Sequence, residues 1–433
     1  MTESTLQKHI AIVGSGIAGL ACAHELARHG RHRVTLFEAG SYFGGHTNTV
    51  DVTLDGVTHP VDTGFLVFNE RTYPNLIALF DELGVPTASS EMSFSVSLAG
   101  QLEWAGTSLA SVFAQPKNLV NPRFLGMLRD ILRFNREATA AATGAATSVS
   151  LGEYIERGCY GDAFRDWYLL PMAGAIWSCP TEAMMAYPFA TFARFCHNHG
   201  LLQVANRPRW FTVRNGAREY VRRIVSHLDD ARLNTPVRSV RRGAGAALVE
   251  SGMGIERFDE VVLACHSDQS LDLIDGPTVQ ERGILSSVRY QANVAWLHTD
   301  TALLPRRKAA WAAWNYLARG IHTLDARSVA VTYLLNKLQP LPFTTPVMVT
   351  LNPFTEPDAA KVIERIEYAH PVFDGAAVAA QRRLPAIQGV DRLWYAGAWT
   401  GYGFHEDGFK SGQAVAQALM QRDAQAAPLR AAA

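Results

Sequence analysis

An α/β fold is predicted from three features of this 433-residue chain. A short apolar strand, residues 9–13, runs straight into Gly14-Ser15-Gly16-Ile17-Ala18-Gly19 and a helix. A second strand at 34–37 ends on an acid, Glu38, and a last strand at 392–397 leads through a glycine-broken loop into a helix at 408–420. Strand, glycine turn, helix and acid-tipped strand in that order make a βαβ cradle for a dinucleotide. Pieces of this character at the start, the middle and the end bracket two stretches of a different kind. The organisation read from this is one discontinuous Rossmann-type domain, 1–75, 205–270 and 385–433, with a mixed α+β substrate domain, 76–204 and 271–384, inserted twice.

Each element has a local reason. Gly14 permits the tight turn, Gly16 lets backbone approach a pyrophosphate, and Gly19 brings helix against sheet. The helix start at Ile17 and Ala18 supplies amides and a positive dipole end for phosphates. Glu38, followed by Ala39, is placed to accept hydrogen bonds from ribose hydroxyls and would repel a 2′-phosphate, which favours FAD or NAD over NADP. Gly44-Gly45, with His46 and Thr47, forms a loop where side chains would obstruct a long cofactor. Residues 49–54 and 57–61 alternate around Asp55-Gly56, a hairpin signal, closed by Asp62-Thr63-Gly64-Phe65. A helix is predicted over 71–83, ended by Gly84 and Pro86. A strand pair at 92–104 bends at Ala99-Gly100, residues 108–200 read as mostly helical, and further strands are predicted at 232–249, 258–264, 292–298 and 329–335. The Ala-rich tail from 422 reads as frayed.

Composition narrows the function. Hydrophobic content of 48% and charged content of 18% are globular. Forty Lys and Arg against forty Asp and Glu give no net field to recruit nucleic acid. Cys22, Cys159, Cys179, Cys196 and Cys265 are scattered without a CxxC pair, against a disulfide framework or structural zinc and in favour of a reducing compartment. The nucleotide unit starts so early that no cleavable signal peptide is expected, and no apolar run reaches the roughly 20 residues of a membrane span. A cytoplasmic location is expected, with peripheral membrane contact left open. The reason is an amphipathic helix at 121–137: Phe124, Leu125, Leu128, Ile131 and Leu132 are expected on one face among Arg123, Arg129, Arg133 and Arg136. That pattern fits a core-packed helix with a solvated basic side, or a membrane-surface helix.

The densest chemistry lies in Tyr402-Gly403-Phe404-His405-Glu406-Asp407-Gly408. Amides of the helix after it would face the electron-rich edge of an isoalloxazine. His405 and Glu406 are the candidate proton acceptors, with Tyr402 beside them. The plainer alternatives are helix capping by Glu406-Asp407 and a hydrogen-bonded interior role for His405. Cys196-His197-Asn198-His199 has no second cluster to complete a ligand set, so no metal is expected. Cys265-His266 reads as a nucleotide-domain turn rather than a nucleophile–base pair. Aromatics crowd the inserted stretches (Trp104, Trp167, Tyr168, Trp177, Phe189, Phe192, Phe195, Trp296, Trp311, Trp314); most are expected in the core and some along an apolar tunnel.

These motifs together resemble the flavin-containing amine oxidoreductase superfamily, which includes phytoene-type desaturases and protoporphyrinogen oxidases. The resemblance rests on residues 14–19 with Glu38, on Gly44-Gly45-His46-Thr47, on the strand 259–264 ending at Ala264, and on Tyr395-Ala396-Gly397 with its helix. It implies FAD held at those positions and at Thr63, Gly64, Phe65, Gly403, Phe404 and His405, with the backbone of Val237 meeting the adenine. More narrowly, residues 45–51, 60–69, 176–180 and 403–408 resemble a bacterial flavoprotein subgroup associated with cyclopropane-fatty-acyl-phospholipid synthases. Three departures stand out: His46 replaces an arginine, Ala398 a glutamate, and the stretch 290–296 lacks the lysine common near flavin N5. No cysteine occupies the loop that covalently flavinylated members use, so non-covalent FAD is implied, with oxygen or a quinone as acceptor. The expected function is oxidation, including desaturation, of a lipidic substrate such as a modified acyl chain, with hydride transfer to N5. The alternatives are oxidation of a small amine, and a non-catalytic flavoprotein partnering a lipid methyltransferase.

Overall fold

The computed structural model describes residues 7–30, 32–98, 101–144, 149–177, 184–203, 206–318 and 330–430. The bend at Ala99-Gly100 and the Ser178-Cys179-Pro180 part of the 176–180 stretch lie outside the described residues.

Five parallel strands make the central sheet, in the order Asp230–Arg232, His32–Phe37, Lys8–Val13, Glu260–Leu263, Leu393–Tyr395. Ile10 pairs with Val34 on one side and Glu260 on the other. The strand is apolar throughout its inner part because both faces are covered. On one face the helix Ile17–Arg28 packs along the C-terminal helix His405–Arg430. On the other lies an antiparallel layer of Val237–Gly243, Ala246–Ser251 and Gly254–Phe258, whose Val240, Val249 and Phe258 share a core with Ala11, Val13 and Leu263.

A second, seven-stranded sheet runs Val362–Val372, Arg289–His298, Met348–Leu351, Ala330–Leu334, Trp314–Ala318, Phe94–Leu98, Leu102–Ala105. Only Trp314–Ala318 against Phe94–Leu98 is parallel. Its core includes Trp167, Phe189 and Phe192 from the helical stretch, so these expected core aromatics are buried there. The helix Pro74–Leu83 instead buries Leu76, Leu79 and Phe80 with the core of the parallel sheet.

The hairpin Thr49–Leu54/Val57–Asp62 forms as expected, with Asp55 and Gly56 both at positive φ. Other expectations needed correction. The helix predicted from residue 71 starts at Pro74, because Asn69 Oδ1 captures the Arg71 and Thr72 amides at 2.9 Å and holds them in a turn. The C-terminal helix starts at His405 and runs to Arg430 rather than fraying from 422. Arg422 bonds to Glu260 and to the Gly389 carbonyl, and Asp423 pairs with Lys8, so the tail is tied to the sheet edge. The amphipathic helix spans Pro122–Thr143 and buries Phe124, Met127, Asp130, Phe134 and Ala138; Leu125 and Leu132, expected on the packed face, are exposed. No described helix is long and apolar enough to cross a membrane.

Candidate functional site

The glycine turn is built by steric necessity. Gly14 sits at φ +101°, where a methyl group would also lie 3.0 Å from the Ala264 carbonyl oxygen. At Gly19 a methyl group would overlap the Gly14 carbonyl, so the helix crosses the turn only at a glycine. Gly16, the N-cap, has no side chain to satisfy the first amides of the helix. They open onto a cavity of about 1090 Å³.

Ser15 ties the glycine turn, the acid and the second glycine pair together. Its hydroxyl donates to Glu38 Oε2 at 2.5 Å and accepts from the Gly44 amide at 3.1 Å, while its own amide donates to the same carboxylate oxygen. Glu38 Oε1 takes the Gly40 amide at 2.8 Å. Ser15 went unassigned from the sequence because glycine spacing draws attention to its neighbours.

From this end, lined by Ile17, Ala18, Ala39, Val237 and Ala264, the cavity passes Gly45, His46, Thr63, Gly64 and Phe65 on one side. Gly397, Tyr402, Gly403, Phe404 and His405 line the other. Gly19, Gly44, Thr47 and Glu406 are not among its lining residues. The first two shape the backbone, and Thr47 acts one layer back: its hydroxyl lies 2.5 Å from Tyr220 Oη and 2.9 Å from His405 Nε2.

His405 lies face to face on Phe65, ring centroids 3.8 Å apart. Burial pushes its pKa down to about 3, so the ring is neutral at ordinary pH and a weak proton acceptor. The interior, hydrogen-bonded alternative describes it. Glu406 is corrected outright: Oε1 accepts from the Asn75 amide and side chain, and Oε2 from the Leu76 amide at 3.0 Å. The carboxylate thus caps Pro74–Leu83, a helix more than 300 residues away in sequence, and does not line the cavity.

Tyr290, Tyr368 and His370, which sequence reasoning did not assign, join His46 and His266 in the middle of the cavity. His46 stacks on Tyr368 at 4.9 Å beside His370, and its buried Nε2 has no hydrogen-bond partner among the described residues. Burial first, then the neighbouring His370, His266 and His405, holds its pKa well below the usual histidine range. His266 stacks on Tyr290 at 4.2 Å. The state of His370 is set by a chain of donors. The Val294 amide donates to Asn352 Oδ1, Asn352 Nδ2 to Asn293 Oδ1, and Asn293 Nδ2 to His370 Nδ1 at 2.8 Å. His370 Nδ1 is therefore the acceptor and Nε2 carries the hydrogen. Asn293 lies on the strand where the resembled family commonly has a lysine. No sequence signal links it to His370, which is 77 residues away.

The far end is apolar and aromatic, walled by Phe94, Trp104, Tyr168, Met172, Phe195 and Trp314 among others. Among the described residues, the charged ones lining the cavity are Glu38 and Asp272 at the nucleotide end and Arg207 and Arg209 at the other; none is lysine. Arg209 pairs with Glu70, whereas Arg207 donates through Nε to the Gln203 carbonyl at 2.7 Å. His199 also lines this end, stacked on Phe195, its pKa pushed down to about 4 by burial. Cys265 is pushed up to about 11 by burial and contacts Ser270 Oγ, which fits the turn reading rather than a nucleophile.

The sequence profile described as "Flavin containing amine oxidoreductase" matches residues 17–308, more than half of the chain. The chain belongs to this family. Its relatives include "Putative flavin-containing monoamine oxidase AofH" of Mycobacterium tuberculosis, 29% identical over 266 residues, covering 59% of this chain and 56% of that protein. Another is the "Carotenoid phi-ring synthase" of Streptomyces griseus, 25% identical over 319 residues, covering 69% and 59%. The chain thus spans little more than half the length of these curated relatives. Among solved structures, the CLA-producing fatty acid isomerase from P. acnes superposes with a TM-score of 0.66 at 14% identity, covering 96% of this chain and 99% of that one. At that identity the likeness concerns the fold.

The family implies a flavin, and the residues present fit one. A side chain at Gly16 would meet no protein atom within 4 Å and would project into the cradle. His46 Nε2 is a buried polar atom awaiting a partner. The cavity exceeds the roughly 300–1,000 Å³ of an ordinary small-molecule site, leaving room for a cofactor and a substrate together. In this flavin-family chain the amides at Ile17 and Ala18, with Glu38 and Val237, would hold the nucleotide half, and His46, Thr63 to Phe65 and Gly403 to His405 the ring half.

Proposed function

We propose that this protein is an FAD-dependent oxidoreductase that takes an apolar, lipidic chain, such as a modified fatty acyl chain, into the far end of the cavity. The observation that carries the reading is the character of that end: among the described residues it has aromatic walls, no carboxylate, no lysine, and arginines as its charged groups. A substrate ammonium group would meet Arg207 there, whereas an acyl chain finds apolar walls and an anionic head finds a guanidinium. The kinship with a fatty acid isomerase fold and a carotenoid ring synthase supports the reading, as does the resemblance to the subgroup associated with cyclopropane-fatty-acyl-phospholipid synthases.

When bound, the flavin supplies a two-electron acceptor. The protein's own residues exclude water with Trp104, Phe195 and Trp314 and orient the chain along them. At the cofactor, the Nε2–H of His370 is available as a donor. The flavin would be held non-covalently: Cys265, the cysteine that lines the cavity among the described residues, is a high-pKa thiol engaged with Ser270. Oxygen or a quinone would serve as the electron acceptor that returns it to the oxidised form.

Anaerobic mixing of the holoprotein with phospholipids, free fatty acids and a panel of amines tests the reading. Bleaching of the flavin by lipids alone supports it. Bleaching by amines alone replaces it with the second reading, amine oxidation, which rests on the likeness to AofH. Bleaching by neither points to a flavoprotein partner of a lipid-modifying enzyme.

A further inference from the structure

We propose that the face formed by residues 109–136 is a docking surface for an anionic lipid bilayer. This goes beyond the reading of the cavity and stands whatever the substrate is. Large apolar side chains are stranded in water along this one stretch: Leu109 is 79% exposed, Leu119 55%, Val120 83%, Leu125 43% and Leu132 60%. Leu125 and Leu132 are two turns apart on the outer side of Pro122–Thr143, about 10.5 Å along its axis. Leu119 and Val120 end the short turn of helix Pro116–Val120 that leads into it. The helix Leu109–Val112 lies near the start of the long helix, with Phe113 against Phe124 at 6.0 Å, and leaves Leu109 exposed. The inner side of the long helix is already satisfied by the core, so the outer leucines are an unpartnered second stripe.

The charges say what covers the stripe. Lys117, Arg123, Arg129, Arg133 and Arg136 lie on this stretch against a single acid, Asp130. Asp130 is buried, accepts the Gly161 amide and pairs with Arg133 at 3.5 Å and Arg129 at 3.8 Å, and Glu137, next along the helix, pairs with Arg136 at 3.9 Å, so the five cations still outnumber the two acids beside them. Arg129 and Arg136 hold side chains 82% and 79% exposed, while Arg123 and Arg133 lie over the rings of Trp167 and Tyr160. Apolar bulk flanked by basic side chains matches the acyl and phosphate layers of an anionic membrane surface. A second copy of the chain fits poorly, since a two-fold pairing would set five cations against five. The surface also backs onto the cavity: Phe124, on the inner side of the same helix, packs on Trp104, a cavity wall.

Flotation of the holoprotein with vesicles of phosphatidylcholine, alone and mixed with phosphatidylglycerol, tests this. Binding to the mixed vesicles at low salt, weaker binding to phosphatidylcholine alone, and loss as salt rises are expected. The triple variant Val120→Gln/Leu125→Gln/Leu132→Gln should bind roughly tenfold more weakly. Arg129→Gln/Arg136→Gln should flatten the salt dependence, with flavin content and melting temperature unchanged in both variants. The proposal is overturned if the wild type fails to float with the mixed vesicles, if the triple variant binds as the wild type does, or if the wild type is a dimer that the triple variant dissolves.

Discussion

Asn293 Nδ2 donates to His370 Nδ1 at 2.8 Å, and this contact decides which nitrogen of a cavity-lining imidazole carries its hydrogen. The orientation of Asn293 is not free, because Asn352, pinned by the Val294 amide, donates to its oxygen. Replacing Asn293 by leucine should release the tautomer and leave the buried polar groups of His370 and Asn352 unpaired, costing about 1–3 kcal/mol of stability. Nitrogen NMR of His370 should show a mixture of tautomers where the wild type shows one. Flavin reduction by substrate should slow while flavin content is kept; an unchanged tautomer would remove the assignment.

Gly16 and Gly14 should respond differently to a side chain. Gly16 has ordinary φ and open space at its Cβ, so Gly16→Val should leave the apoprotein folded while weakening FAD at least tenfold, about 1.4 kcal/mol. Gly14→Ala, at φ +101°, should lower the melting temperature of the apoprotein itself. Flavin-to-protein ratios and melts with and without FAD distinguish the two.

Glu406 is expected to matter for folding rather than proton transfer. Glu406→Gln loses the charge that caps Pro74–Leu83 and should destabilise the protein by about 1–2 kcal/mol in urea, with turnover per folded molecule nearly intact. A large fall in kcat without a stability change would reinstate it as a catalytic acid or base.

Arg207 tests the class of substrate. Arg207→Gln should raise KM for an anionic lipid roughly tenfold and leave uncharged analogues little affected, because a charge-assisted contact is lost only where a negative head is present. Equal effects on both would mean that the side chain shapes the cavity mouth without recognising charge.

Buried histidines make the apoprotein acid-sensitive. His199, His298 and His370 are held down to about 4 and His405 to about 3, each chiefly by burial. Their folded pKa values lie below the unfolded value near 6.5, so the unfolded chain takes up protons first as pH falls. Their contribution is fully present above pH 6.5 and is lost progressively from there to about pH 4, by about 1.4 kcal/mol per pH unit for each proton. Urea midpoints across that range should fall steadily; a flat profile would mean that these rings reach water.

Local sterics and periodicity are written into consecutive residues, and those parts were legible in advance. The turn at Gly14 to Gly19, the acid at Glu38, the hairpin around Asp55-Gly56 and the C-terminal strand and helix each follow from constraints within a few residues. So did the convergence of the glycine motifs and the His405 loop on one cavity, because a parallel βαβ sheet brings its strand ends to one edge. Partner choice between distant side chains lay beyond the sequence. Whether Glu406 faces a cofactor or caps Pro74–Leu83, whether Leu125 turns inward or outward, and that Asn293 orients His370 depend on contacts closed across tens to hundreds of residues. A carboxylate or an amide is satisfied by whichever donor the finished packing places beside it, and only the tertiary structure makes that selection.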